Sequence, residues 1–393
     1  MTAASPQLLT ASTRGALNVR VYDNLRALSP SCRSLFELGA EKSFFLGLAW
    51  FQHFAGSVLS ETERLRLFVV EDDQGEALLA LPAKCSFKRS ATQPRELSSL
   101  ANYYSSLYAP IVSEWNEAAL SALRELARYL ASDSSRWDVV RLNPLPQDEP
   151  LFEACVEALR AAGMAVQKYF CFGNWYLPVE GRSFEQYFEG LPSVTRNTVQ
   201  RKTKKFEKAA GRIEIVTGAE ALERSIKAYE QVYQASWKVP EPFPEFVPDF
   251  MRLCAAKGWL RLGVAYVHGE PAAAQLWVVH HGKAAIYKLA YDERFSDVSA
   301  GSILTAKLME YVLDVDKVTE VDYLTGDDPY KKQWMSHRRE RWGIMAFNPR
   351  TVRGCLTMAK NIGGRALKQN YLNLKQAFGH WHSRSSSSVQ SGT

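Results

Sequence analysis

Fourteen residues, VDYLTGDDPYKKQW (321–334), concentrate side chains able to do chemistry. An apolar strand end runs into Gly326, and behind that break stand Asp327, Asp328, Tyr330, Lys331 and Trp334. A carboxylate can take a proton, an ammonium can steady a developing oxyanion or hold a phosphate, and aromatic rings can wall a groove. Gly326 lets the chain turn. Before it the residues alternate, with Val321 and Tyr323 facing one side and Asp322 and Leu324 the other. Asp322 is thus a candidate base late on a strand, whereas Asp327 suits capping of the turn. His280 and His281 end another strand before Gly282 and read either as a base or as a surface turn. Of the two lysines, Lys331 is favoured for function and Lys332 for solvent. Tyr330 and Trp334 either line a groove or fill core.

A second stretch offers a phosphate site. DVSAGSIL (297–304) follows the strand AAIYKLAY and opens a helix predicted over 302–313. Backbone N–H groups of Ser299, Ala300, Gly301 and Ser302 at a helix start attract phosphate, and Gly301 allows close approach. An ordinary serine-capped helix has the same pattern. A third stretch, TRNTVQRKTKKFEK, gathers Arg196, Arg201, Lys202, Lys204, Lys205 and Lys208. It is either a solvated helix face or a contact for an anionic partner. Only Phe206 interleaves with the charges, which is weak support for base stacking on RNA.

The elements that hold these residues repeat. LRLFVVEDDQGEALLALP (65–82) and LRLGVAYVHGEPAAAQL (260–276) are each strand, Gly-Glu turn and strand. LRELARYLASDSSRWDVVRLNPLP (123–146) and AKLMEYVLDVDKVTEVDYLTGDDP (306–329) are each amphipathic helix, polar loop and short strand. The same order occurring twice indicates a duplicated α/β unit. The boundary is expected near FGNWYLPVEG (172–181), where Gly and Pro punctuate the chain. A basic helix follows over 193–211, with Gly211 in the capping place.

Composition agrees with two globular units. The 393 residues are 46% hydrophobic and 23% charged, with a net charge of +6 that tolerates an anionic partner without demanding one. The six cysteines lie far apart with no C-x-x-C, which disfavours a zinc site or disulfide framework and fits a reducing cytoplasm. No metal ligand set is evident. The N-terminus lacks a signal-peptide pattern. The longest apolar run, FFLGLAWFQHFAGSVL, is too short to cross a bilayer of about 30 Å and reads as a core helix.

The second half resembles the GNAT superfamily of acyltransferases, in its CelD-like or FemAB-like branch. The resemblance rests on LPSVTRNTVQRKTKKFEKAAGRIEI, YEQVYQASW, the run from GVAYVHGEP to LMEYV, and the G-x-x-x-Y-K-x-x-W pattern of the opening stretch. It implies two tandem GNAT-like domains, each a mixed, mostly antiparallel sheet flanked by helices. Residues 1–18 would be flexible, 19–175 a degenerate first domain and 176–350 the acyltransferase domain. The first domain lacks the glycine and the Tyr-Lys pair, having RLNPLPQDEPLF in that place. The resemblance implies transfer of an acyl group, acetyl by preference, to an amine or hydroxyl of an amino sugar, amino acid or envelope polysaccharide. The donor would be acyl-coenzyme A or an acyl carrier protein, used as co-substrate and not as a resident cofactor. Lys331, Asp322 and Tyr330 are then the catalytic candidates. Ser299 to Ser302 with Lys331 would hold the donor, and Trp237, Tyr287, Asp327 and Trp334 the acceptor. Two alternatives stay open: a FemAB-like transferase drawing on aminoacyl-tRNA, and a scaffold for polysaccharide assembly without catalysis. No long charged helical pair lies between 211 and 260, which favours the thioester donor over tRNA.

The tail carries no Asp or Glu from Arg341 onward but eight Lys or Arg. Residues 351–381 read either as a helix packed on the domain or as a segment lying on an anionic membrane surface. The expectation is a cytoplasmic protein, peripheral at the inner membrane in the second case. The Ser-rich end reads as disordered.

Overall fold

The computed structural model describes residues 16–86, 93–132 and 137–361. Its first half runs β1 (Asn18–Tyr22), α1 (Pro30–Lys42), α2 (Leu48–Val58), β2 (Glu63–Glu71), β3 (Ala77–Ser86), β4 (Glu96–Ser99) and β5 (Ile111–Val112). Then come α3 (Glu117–Ala131), β6 (Val139–Pro146), α4 (Pro150–Ala161) and β7 (Ala165–Pro178). The second half runs α5 (Phe184–Glu189), α6 (Ser193–Lys208), β8 (Arg212–Val216), α7 (Leu222–Ala235), α8 (Phe246–Ala256), β9 (Leu260–Val267) and β10 (Glu270–His280). It closes with β11 (Lys283–Tyr291), α9 (Ala300–Asp314), β12 (Glu320–Asp322) and β13 (His337–Phe347).

All strands join one sheet, ordered β1-β2-β3-β4-β6-β13-β7-β12-β11-β10-β9-β8, with β5 added on β3. Read inward from either edge, the two sets of six correspond. Each has a hairpin at its second and third places, β2–β3 or β9–β10, the very pair of repeats seen in the sequence. Each has one parallel pair, β4 with β6 or β11 with β12. Each ends on an antiparallel strand from the other half of the chain: β13 lies on β6, and β7 lies on β12. The halves have exchanged their last strands, and the two exchanged strands pair with each other from Ala165–Phe347 to Tyr176–His337.

The boundary expected near 172–181 falls on the end of β7 and the turn behind it. Residues 172–178 are the end of β7, a 14-residue strand that lies within the second set of six strands. Its glycine answers a packing need, because a Cβ on Gly173 would sit 2.3–2.5 Å from the Asp327 carboxylate. A correction concerns α6, where the left-handed residue after the helix is Ala210, with φ 51°, and not Gly211. Gly211 is small because the Phe206 ring lies where its Cβ would be.

Helix starts follow the local chemistry. Ser29 precedes Pro30 and accepts from the Cys32 N–H, while Ser183 and Gln186 form a reciprocal capping box on α5. The apolar run read as a core helix is α2 with the preceding turn Phe44–Leu46. Its Phe44, Phe45 and Trp50 meet Phe250 and Tyr287 of the second half in one aromatic core, with Trp50 and Phe250 centroids 5.2 Å apart. A separate core lies on the opposite face of the second set of strands, under α5, α6 and α9. All six cysteines are free. Among the described residues no helix is long and apolar enough to cross a membrane, and no group of acidic, His or Cys residues is set to hold a metal. Helical residues 352–361 begin the tail; the remainder of the 351–381 segment and the Ser-rich end lie outside the described residues.

Candidate active site

β11 and β12 pair in parallel over only three residues, from Lys283–Glu320 to Ala285–Asp322. Beyond that point the chain after β12 follows β7 instead. Tyr323 N–H donates to the Trp175 carbonyl, Asn174 Nδ2 donates to the Leu324 carbonyl, and Gly326 N–H donates to the Gly173 carbonyl. Leu324 and Gly326 turn the backbone with positive φ, 55° and 109°. On the other side, the β10–β11 register slips, so that Tyr287 is the extra residue of a bulge between Ile286 and Lys288. A bulge re-aims the strand and raises its twist. The two strands therefore part, and the edge of β11 past Ala285 has no strand against it.

A pocket of about 360 Å³ fills the opening. β11 contributes Tyr287 and Lys288, and the 323–331 segment contributes Tyr323, Thr325, Tyr330 and Lys331. Tyr103, Tyr104 and Ser106 close it from the first half, and Trp237 and Lys238 form its rim. The pocket thus needs both halves of the chain.

Its electrostatics rest on three lysines. Lys331 is 4% exposed, and its ammonium donates to the carbonyls of Thr325 and Tyr323 and lies 3.5 Å from the Asp328 carboxylate. Burial holds its pKa below the usual lysine value despite Asp328. Lys288 reaches Glu241 at 2.6 Å, and the same carboxylate accepts from Tyr104 (2.7 Å) and Tyr233 (3.0 Å). Burial pushes Glu241 up, but these bonds outweigh it and its pKa ends low. Lys238 is different. It lies over the Tyr233 and Trp237 rings, with no ion pair or hydrogen bond to its ammonium among the described residues. Burial, with the Lys288 charge, pushes its pKa down to about 8.

The helix start named by the sequence lies beyond the end of β11. A cavity of about 190 Å³ is lined by Tyr291, Asp292, Phe295, Ser296 and Ser299 to Ser302. Ser299 is left-handed, with φ 55°, and α9 begins at Ala300, two residues before the predicted start. Ser302 and Ile303 donate to the Ser299 carbonyl, while the N–H groups of Ala300 and Gly301 precede the first helical acceptor. A Cβ on Gly301 would meet nothing closer than Tyr291 at 3.6 Å. The Trp237 ring packs on Tyr291 at 4.6 Å, linking this cavity to the rim of the first. α6 braces it: Lys202 donates to the Asp297 carbonyl and Lys205 pairs with the Asp297 carboxylate at 2.6 Å.

Several expected roles change. Asp322 is heavily engaged: it accepts from Asn174 (2.5 Å) and Leu324 N–H (2.6 Å) on Oδ1 and from Arg339 (2.5 Å) on Oδ2, which takes three of its lone pairs. Asp327 is bidentate with Arg338 over Gly173, outside the pocket. Trp334 is buried in the core beneath, its carbonyl bonded to Tyr187 at 2.7 Å. Lys331 belongs to the pocket, but its N–H groups are engaged by the loop it closes. Tyr287, Tyr330 and Trp237 do line the opening. His281 begins the exposed turn, with φ 43°, whereas His280 is the last residue of β10 and lines a neighbouring cavity, and burial lowers its pKa to about 4. Sequence reasoning missed Lys238, Glu241, Lys288 and the Tyr103–Tyr104 pair. The one available signal was the lysine following YEQVYQASW; Glu241 stands in the loop before α8, Lys288 inside β11, and the tyrosine pair in the other half.

These features define a class: a tandem α/β protein in which two parallel strands part over a pocket beside a helix N-terminus. Residues 193–332, the stretch that carries the α9 start and the 323–331 segment, match the family model described as an acetyltransferase (GNAT) domain. The whole fold is similar to solved structures. FemX superposes with a TM-score of 0.56 at 12% identity, covering 82% of this chain and 96% of that one. A conserved protein of unknown function from Bacteroides thetaiotaomicron gives 0.54 at 10% identity, covering 84% and 100%. No curated protein matches the sequence at a significant level.

Proposed function

We propose that the second half moves an acyl group directly from a thioester, acyl-coenzyme A or an acyl carrier protein, to an amine or hydroxyl of a small-molecule or glycan acceptor. The observation that carries this is the parting of β11 and β12 between the α9 start and the lysine-lined pocket. Donor phosphates meet the Ala300 and Gly301 N–H groups, and the pantetheine arm runs along β11 past Tyr291 and Trp237. The thioester carbonyl accepts from the unpaired edge of β11, which stabilises the oxyanion as the acceptor attacks. The C–S bond then breaks and the thiolate leaves. Lys238, part neutral near pH 8, takes the proton released by the nucleophile. Lys331 holds the 323–328 turn that shapes the opening. Acetyl is the preferred acyl group, and an amino sugar, amino acid or envelope polysaccharide the preferred acceptor.

A second reading, an aminoacyl-tRNA donor, draws on Arg201, Lys204 and Lys208, which stay exposed on α6 beside the cradle. Calorimetry decides between them. Acetyl-coenzyme A binding in the micromolar range, with release of free thiol on adding an amine acceptor, supports the thioester. Binding of charged tRNA with no binding of coenzyme A overturns it.

A further inference from the structure

A second cavity, of about 230 Å³, abuts the first. Ser106 and Leu324 line both, and Ser106 Oγ, 2.7 Å from Thr325 Oγ1, stands where they meet. Two arginines of β13, Arg339 and Arg341, line it from the same strand face. Their surroundings differ. Arg339 is fully used: it donates to Glu320 (2.8 Å), Asp322 (2.5 Å) and Asn174 (2.7 Å). Arg341 is only 5% exposed, yet its one hydrogen bond among the described residues is a long one to Asn174 Oδ1 at 3.3 Å. The nearest carboxylate, Asp148, stands 3.9 Å away and is itself mostly exposed. Arg341 Nε is buried with no partner. The acids nearby offset its charge only in part: Asp322 is bonded to Arg339, Asp148 and Glu149 are exposed, and burial with the Arg339 charge outweighs all three. A buried guanidinium this poorly paired is costly, and buried polar groups without partners call for an explanation.

We propose that this second cavity is an oxyanion-binding site, in which the Arg341 guanidinium receives a carboxylate or phosphate group of a small molecule. A planar fork of N–H donors suits either group through paired bonds. Burial and the neighbouring Arg339 charge both disfavour the Arg341 cation, and a bound anion relieves both. Because the cavities touch, the anion is best placed as the acidic end of an acceptor whose amine or hydroxyl sits in the first pocket. That extension rests on the proposed acyl transfer; the anion site does not.

The test is thermal stability of the full chain against inorganic phosphate and, separately, acetate, in the parent, Arg341→Met and Gly301→Val. The last variant removes phosphate binding at the α9 start from the comparison. One or both anions raise the melting temperature of the parent and of Gly301→Val, and Arg341→Met binds about tenfold more weakly or worse. Phosphate acting alone identifies a phosphorylated ligand, and acetate acting alone a carboxylic acid. No shift in the parent, or an equal shift in Arg341→Met, overturns the site. Should Arg341→Met fail to fold, crystals of the parent soaked in tungstate give the answer. Density within hydrogen-bond distance of the Arg341 guanidinium supports the site, and a bare guanidinium overturns it.

Discussion

Lys238 and Lys331 stand on the same pocket and do opposite things. Lys331 donates to two backbone carbonyls and faces Asp328, so truncation leaves those groups buried and the 323–328 turn loose. Lys331→Ala is expected to lose about 1–3 kcal/mol of stability together with most turnover, read as a melting shift beside a rate. A rate loss at unchanged melting temperature would return Lys331 to direct chemistry. Lys238 has no such bonds, so Lys238→Met is expected to fold. The pH dependence has a definite sign. Lys238 titrates near 10.5 when unfolded and about 8 when folded. Between those values the unfolded chain binds more protons, so the stability of the parent rises with pH across that window, and below it the penalty is fully present. The span amounts to about 3 kcal/mol. Subtracting the Lys238→Met curve isolates this rise, and a flat difference would show that the amine is not buried in its charged form. If Lys238 also takes the acceptor proton, kcat/KM rises through a midpoint near 8 in the parent, and the variant lacks that limb.

At the scale of elements, the α9 start and the β11–β12 opening decide binding. The fold leaves room at Gly301, since an added Cβ meets only Tyr291 at ordinary contact distance. Gly301→Val therefore keeps its melting temperature within about 1 kcal/mol of the parent in stability while its branched side chain intrudes on the phosphate cavity. Calorimetry with coenzyme A should show at least tenfold weaker binding. Parent-like affinity would move the donor cradle elsewhere. The tilt of the 323–326 chain toward β7 explains why the opening exists at all. Asn174, Gly173 and Trp175 on β7 capture that segment through its backbone, and β11 keeps its free edge.

At the scale of the molecule, exchanged strands and a common aromatic core make the halves interdependent. β13 pairs with β6 on one side and β7 on the other, at the centre of the sheet. Removing it exposes two strand edges and both flanking faces, so a chain ending at residue 336 is expected to be insoluble or without a cooperative melt. The intact protein should unfold in a single transition, with fluorescence and circular dichroism tracing the same curve. Two separated transitions would show that each half stands alone. The pocket depends on this union, because Tyr103 and Tyr104 of the first half close what β11 and β12 of the second half open.

The sequence alone determined the parts that depend on local periodicity and turn chemistry. Paired hairpins, the α9 start after a strand, the basic helix α6 and the Gly326 turn all follow from nearest-neighbour preferences, and so does the tandem α/β class. It also marked Lys331, Tyr330, Tyr287 and Trp237, which do meet at one pocket. Tertiary structure decided the rest. That the last strands are exchanged is a choice of partner among strands of similar pattern, and no residue of β7 or β13 announces its neighbour. Whether a charged group is free or spent depends on what packs against it: Asp322 is taken by Asn174 and Arg339, Asp327 by Arg338, and Lys331 by carbonyls of its own loop. Lys238 and Arg341 look like any other basic residues in the chain. Only the fold removes them from water and leaves them short of partners, and a charge's worth for chemistry is set by that surrounding, not by its residue type.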